Sequence, residues 1–252
     1  QWAVNAYTVS YYVYEPATGK FTAAGTETVE YGTAIPATVP ATYVVPTGYS
    51  LNATAYTDVA LSTALAAGAT MPAENVALYY ELTANKYDAV FMVDGEEHAT
   101  VETEFGAQIA APADPAMDGY TFTGWSITGS YTIQSGTVNS QAFSIIPQAE
   151  ITAQANFRAN TATVTVNAQS GGTVTNAGAK ATEYPDTVTS TAAESTGYTF
   201  AGWTITGTLG TDYELVNCSA SDKTITIRPI KDGASITATA KFLLGQYLTV
   251  YT

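Results

Sequence analysis

Few side chains in this sequence could do chemistry, and their spacing argues against most of it. A single histidine, His98, follows Glu96-Glu97, and a single cysteine, Cys218, lies far along the chain. A nucleophilic Cys–His dyad would need those two to meet, and a zinc site needs three or four such ligands. His98 therefore reads as a solvated strand residue. Carboxylates pair at Glu102 and Glu104 and at Asp212 and Glu214. At i, i+2 along a strand they form one acidic face. The acid-rich loop 212–222 lacks the ligand spacing of a calcium site. An isopeptide cross-link needs a lysine amine, an asparagine amide and a carboxylate together, and Lys241, Asn167 and Glu183 form one conceivable trio. No GxSxG, P-loop or HExxH pattern occurs. The expectation is a non-enzymatic chain with no cofactor and no metal.

Aromatic residues carry the stronger signal. DGYTFTGWSITG at 118–129 nearly coincides with TGYTFAGWTITG at 196–207. An exposed indole can stack on a sugar ring; a buried one closes a small core, covering roughly 150–250 Å². The core reading is preferred, because a small β body needs one large aromatic to fill its interior. It makes Tyr120, Phe122, Trp125, Tyr198, Phe200 and Trp203 structural core anchors. Tyr120 and Phe122 share a strand face, and Gly124 breaks the alternation before Trp125, as a bulge would. The matching block near the N-terminus, GYSLNATAY at 48–56, lacks the tryptophan. Leu51 and Tyr56 are expected to fill the space there.

These blocks belong to a longer repeat. An acid–aromatic pair precedes each one, at Glu30-Tyr31, Glu104-Phe105 and Glu183-Tyr184. A closing strand follows: VALYYEL at 76–82, ITAQANF at 151–157 and ITATAKF at 236–242. Repeat domains are expected over 7–83 (divergent), 86–158 and 161–244. Residues 1–6 read as the end of a preceding repeat or a linker, and 246–252 as the terminal strand of a following one. Each unit is long enough to own its core.

Inside the units the periodicity is that of β structure. TATVTV at 161–166 alternates as a half-buried strand does. Asp94-Gly95 is a hairpin signal between two apolar runs, and QSGG at 169–172 is the corresponding turn of the third unit. The segments AQIAAPADPAMD and TVTSTAAEST have room for one or two helical turns, with Pro112 and Pro115 limiting the former.

Composition excludes several function classes. Eight Lys+Arg against 22 Asp+Glu give a net charge of −14. Without a basic stripe, binding to nucleic acid through phosphate neutralisation is excluded, and anionic lipid is no better a partner. No apolar run is long enough for membrane insertion of this segment.

With the motifs in place, FGAQIAAPADPAMDGYTFTGW resembles the Listeria–Bacteroides repeat of bacterial cell-surface proteins, the B-repeat type of internalins. Phe105, Gly106, Pro112, Pro115, Gly119, Tyr120, Phe122, Gly124 and Trp125 carry the resemblance. In the third unit Tyr184, Gly197, Tyr198, Phe200, Gly202 and Trp203 do so, with Pro185 in place of the usual glycine. The first unit is as similar to mucin-binding repeats. The resemblance implies a mainly β fold, a tandem array of three small β-grasp-like domains with at most short helical turns. It also implies an extracellular site, at the cell surface or secreted, and a role as stalk, spacer or adhesive module. Expected partners are a protein or glycan on another cell or matrix, or copies of the chain end to end. A filament subunit exchanging its terminal strands is the alternative function, and a glycan-binding module is the third.

Overall fold

The computed structural model describes residues 4–137 and 143–245. Residues 1–3 of the expected preceding repeat or linker, and the strand expected at 246–252, lie outside the described residues. All regular structure described is β, and no helix is present among the described residues.

Each third of the chain builds one four-stranded mixed sheet on the same plan. In the first unit, β1 (Ala6–Glu15) and β2 (Lys20–Glu30) form a hairpin, and β3 (Tyr49–Leu51) precedes β4 (Val76–Ala84). The sheet order is β2-β1-β4-β3, with β1 and β4 parallel. Parallel neighbours cannot be joined by a tight turn. The long connections therefore cross over one face, where Ile35, Val39, Tyr43 and Met71 pack onto the sheet.

The second unit contains β5 (Lys86–Val93), β6 (Glu96–Glu104), β7 (Ile109–Ala110), β8 (Tyr120–Thr128), β9 (Tyr131–Gly136), β10 (Phe143–Pro147) and β11 (Ile151–Ala159). Its main sheet is β6-β5-β11-β8, again with a parallel central pair, and β7-β10-β9 forms a second layer. The third unit holds β12 (Thr161–Ala168), β13 (Gly172–Val174), β14 (Gly178–Glu183), β15 (Val188–Glu194), β16 (Tyr198–Ile205), β17 (Tyr213–Leu215), β18 (Thr224–Pro229) and β19 (Ser235–Leu244). They give a main sheet β14-β12-β19-β16 and a second sheet β13-β15-β18-β17.

Side-chain alternation explains the layering. Val9, Tyr11 and Val13 of β1, and Ala162, Val164 and Val166 of β12, are buried on one face of their strands. Three separate hydrophobic clusters result, one beneath each main sheet.

Three local expectations need correction. Asp94-Gly95 does turn β5 into β6, both residues at positive φ. QSGG, however, feeds β13, which pairs with β15 in the other sheet, and the partner of β12 is β14. Gly171 and Gly172 lie so close under the rings of Tyr198 and Phe242 that a Cβ on either would collide with them. TVTSTAAEST is not helical: Val188, Ser190 and Ala192 alternate inward along β15. The Ser190 hydroxyl survives full burial by donating to the Thr175 carbonyl at 2.6 Å. In the first unit Tyr11, Tyr80 and Met71 are the fully buried large side chains, Leu51 only packs at the margin, and Tyr56 stays outside the cluster. Burial pushes the Tyr80 hydroxyl pKa up to about 12, the Glu27 carboxylate adding to it.

Candidate functional site

The anchor residues divide into core and surface roles. Trp125 is fully buried, edge-on to Phe91 and Phe122 at 5.0 and 5.3 Å between ring centroids. Trp203 is 6% exposed and packs against Phe200, which in turn meets Phe242. No ring face of either indole is open to a stacked ligand. The register shift between Asn156 and Phe157 places an extra residue, Thr123, opposite β11. This bulge turns Phe122 and Trp125 to the same side although they are three apart. The shift between Phe200 and Gly202 does the same in the third unit. Tyr198 is half-buried over Gly171, whereas Tyr120 faces the next unit.

The chemically capable groups are scattered. His98 is exposed, its ring 6.1 Å from that of Trp125, while Cys218 sits in the third unit and accepts the Thr226 N–H. Glu102 takes the Lys86 ammonium and Asp212 takes Lys231. Lys241, Asn167 and Glu183 are all exposed on strands. Glu183 pairs with Thr161 at the opposite end of β12 from Asn167, which is roughly 20 Å at 3.3 Å per residue. The trio is not brought together. Among the described residues, no three His, Cys, Asp or Glu gather as metal ligands, and no helix is long and apolar enough to cross a membrane.

What the fold does build, twice over, is a junction. One residue, Asn85, separates β4 from β5, and Asn160 separates β11 from β12. The Asn85 N–H donates back to the Gly48 carbonyl at 2.9 Å, and its own carbonyl accepts the Phe105 N–H at 2.7 Å. Asn160 repeats both bonds with Gly119 and Tyr184, each at 2.9 Å. The asparagine amides are used as well: Ser50 donates to Asn85 Oδ1, and Thr121 to Asn160 Oδ1. A single residue is thus bonded to the unit behind it and the unit ahead.

Over each of these staples sits an aromatic ring in a glycine notch. Phe105 lies against Gly48 so closely that a Cβ there would fall inside the ring, and Tyr184 covers Gly119 in the same way. Both glycines are at positive φ. The next residue completes each pocket: Tyr49 meets Phe105 at 5.4 Å and Tyr120 meets Tyr184 at 5.2 Å, each pair at 74° between planes. Such an aromatic pair contributes about 0.5–1.5 kcal/mol beyond burial, and each hydrogen bond about 1 kcal/mol. Together they hold one inter-unit orientation by a few kcal/mol.

The second junction carries an added clamp. Arg158, at the end of β11, grips Asp232 with both terminal nitrogens, and Asp232 also accepts the Thr161 N–H. Hydrogen bonding to Arg158, then to Thr161, holds the Asp232 carboxyl well below the usual carboxylate range. Because the folded value is depressed, this contribution is present above the ordinary aspartate pKa of about 3.9 and is lost as pH falls below it. The pair is partly exposed, so salt weakens it. NMR titration is expected to show Asp232 protonating well below the ordinary aspartate range. Arg158→Ala is expected to return it to the ordinary range; an unmoved titration would contradict the clamp. Beside the clamp lies an open cleft of about 660 Å³, bordered by Asp118, Tyr120, Tyr184, Glu214, Arg228 and Lys231.

These junction residues were partly visible as motifs. The acid–aromatic pair and the Gly-Tyr pair recur in every copy. Tyr49 and Tyr198 pack against the margins of their cores, whereas Tyr31, Phe105, Tyr120 and Tyr184 belong to no core cluster. An aromatic repeated at a fixed place without a core role is the available signal of a contact between copies.

Residues 87–155 match the Listeria-Bacteroides repeat domain, and 162–246 match the divergent InlB B-repeat domain. Internalin H of Listeria monocytogenes is 44% identical over 55 residues, covering 22% of this chain and 10% of that protein. Two Evansella cellulosilytica proteins, both named as membrane proteins and one as Gly-rich, are also similar. One is 32% identical over 126 residues, half of this chain and 18% of its own length. The other is 27% identical over 209 residues, 81% of this chain and 22% of its own length. The chain therefore spans about a fifth or less of these relatives. Residues 87–155 therefore belong to the Listeria–Bacteroides repeat family and residues 162–246 to the divergent InlB B-repeat family, repeat domains of internalin-like bacterial surface proteins.

Proposed function

We propose that this chain is a non-enzymatic extracellular spacer in a bacterial surface protein. Its three self-cored domains, on a β-grasp-like strand order, hold a distal region away from the envelope. The observation that carries the reading is the junction built twice from the same parts, with a one-residue link whose N–H and C=O are both bonded. A flexible linker would leave those groups to water. The net charge of −14 adds mutual repulsion between units, which extends the array at low salt and is screened beyond about 8 Å at physiological ionic strength. A partner protein or glycan would then be met by what the spacer presents.

Small-angle scattering tests this. Three units in line, on the order of 90 Å long, give a radius of gyration of roughly 27 Å, whereas one compact body of this length would give roughly 18 Å. A value near the smaller figure would overturn the spacer reading.

A further inference from the structure

The first unit repeats half of the junction device at its outer end. Tyr31 occupies the acid–aromatic position of Phe105 and Tyr184, and its N–H donates to the Asn5 carbonyl at 2.8 Å. Asn5 thus accepts from Tyr31 as Asn85 accepts from Phe105 and Asn160 from Tyr184. The burial differs. Phe105 and Tyr184 are half-buried, whereas Tyr31 is 56% exposed. Asn160 is buried and Asn85 half-buried, whereas Asn5 is exposed. The ring and the hinge residue are already posed, and what covers them at the other two junctions is a neighbouring repeat's Gly-Tyr turn.

We propose that the face formed by Asn5 and Tyr31 is a docking surface for the Gly-aromatic turn of another repeat of this family. The Tyr31 ring seats over the glycine, edge-on to the aromatic that follows it, and the Asn5 N–H donates to the glycine carbonyl. The required partner chemistry is narrow. Glycine is needed at positive φ, since at Gly48 and Gly119 a Cβ would enter the ring. An aromatic must come next, as Tyr49 and Tyr120 do. A phenyl ring serves as well as a phenol, because Phe105 fills the position at the first junction. Exposed apolar residues scattered singly on a surface need no explanation; Tyr31 is set apart by its matched position in a device filled twice elsewhere in the chain.

This inference rests on the spacer reading but fails separately from it. A copy of residues 86–159 is joined ahead of the full chain so that its last residue leads directly into Asn5, replacing residues 1–4. Amide exchange at Asn5 and Tyr31 is then compared with that of the unextended chain. Both amides are expected to slow about tenfold or more on extension, as bonds newly enclosed by a packed neighbour do. Tyr31→Phe should keep the slowing and Tyr31→Ala should abolish it. Changing the added copy's notch glycine to alanine should abolish it too, with Tyr31 intact. Equal exchange with and without the added repeat, or slowing indifferent to Tyr31→Ala, overturns the proposal. Neither outcome depends on whether the three units scatter as a rod.

Discussion

Trp125→Ala is expected to unfold the second unit and leave its neighbours folded. The indole is fully buried between Phe91 and Phe122, and removing such a side chain costs about 3–5 kcal/mol. A body of this size has a margin of roughly 4–10 kcal/mol at 0.05–0.15 kcal/mol per residue, so most of it disappears. The three hydrophobic clusters share no residues, which confines the damage. Hydrogen exchange should show β5, β8 and β11 losing protection while β1, β4, β12 and β19 retain theirs. Trp125→Phe is expected to be far milder, because the Trp125 Nε1 has no hydrogen-bond partner among the described residues. Trp203→Phe should cost more than Trp125→Phe, since Trp203 donates to the Asp222 carbonyl at 3.0 Å. Uniform loss of protection along the whole chain in Trp125→Ala would mean one shared core.

The second large effect is expected at Gly119, and there it is orientation that is lost. Alanine at this position places a methyl inside the Tyr184 ring, so the ring must leave its notch. Positive φ adds about 1–2 kcal/mol for any residue with a Cβ. Gly106 separates these two costs: its φ is +84° and a Cβ there meets open space. Gly106→Ala should therefore carry the backbone penalty alone and leave the junction intact. Gly119→Ala should in addition expose the Tyr184 amide, which donates to Asn160, while both flanking cores stay protected. If the two variants behave alike at Tyr184, the ring-in-notch contact has no energetic weight.

Much of this architecture was legible because it follows from local pattern. Alternating Thr and Val in β12, the Asp94-Gly95 turn and the GYTF-GW block each act through neighbours a few residues away. The bulge was readable from Gly124 alone. Two strands of the second layers were not, since β7 has only two residues and β13 only three. Strands that short have no period to detect, and their pairing is decided by what the main sheet leaves uncovered. In TVTSTAAEST, the β-branched residues Thr187, Val188, Thr189 and Thr191 favour a strand, but the small and polar half that follows, Ala192 to Ser195, left room for a helical turn. Ser190 and Ala192 face inward because β18 pairs with the strand over Ile225 and Ile227. In the first unit the missing tryptophan is replaced from β1 and β4, by Tyr11 and Tyr80, and not from the block where it was lost.

The junctions show the same limit more sharply. Gly119 and Tyr184 lie far apart in sequence and in different repeats, so nothing in either repeat by itself pairs them. Their recurrence was visible, while their contact needed the fold. What ties them together is the geometry of Asn160, which sets the start of β12 within bonding distance of the turn that opens β8.

The central claim is that successive units are held in one orientation by an aromatic ring seated in a glycine notch. Pulsed electron–electron dipolar spectroscopy tests it most directly, with one spin label on an exposed strand position of the second unit and one on the third. The account predicts a single narrow distance distribution for the native junction and a broad one for Gly119→Ala. A broad distribution in the native chain, or a narrow one that survives Gly119→Ala, would contradict it.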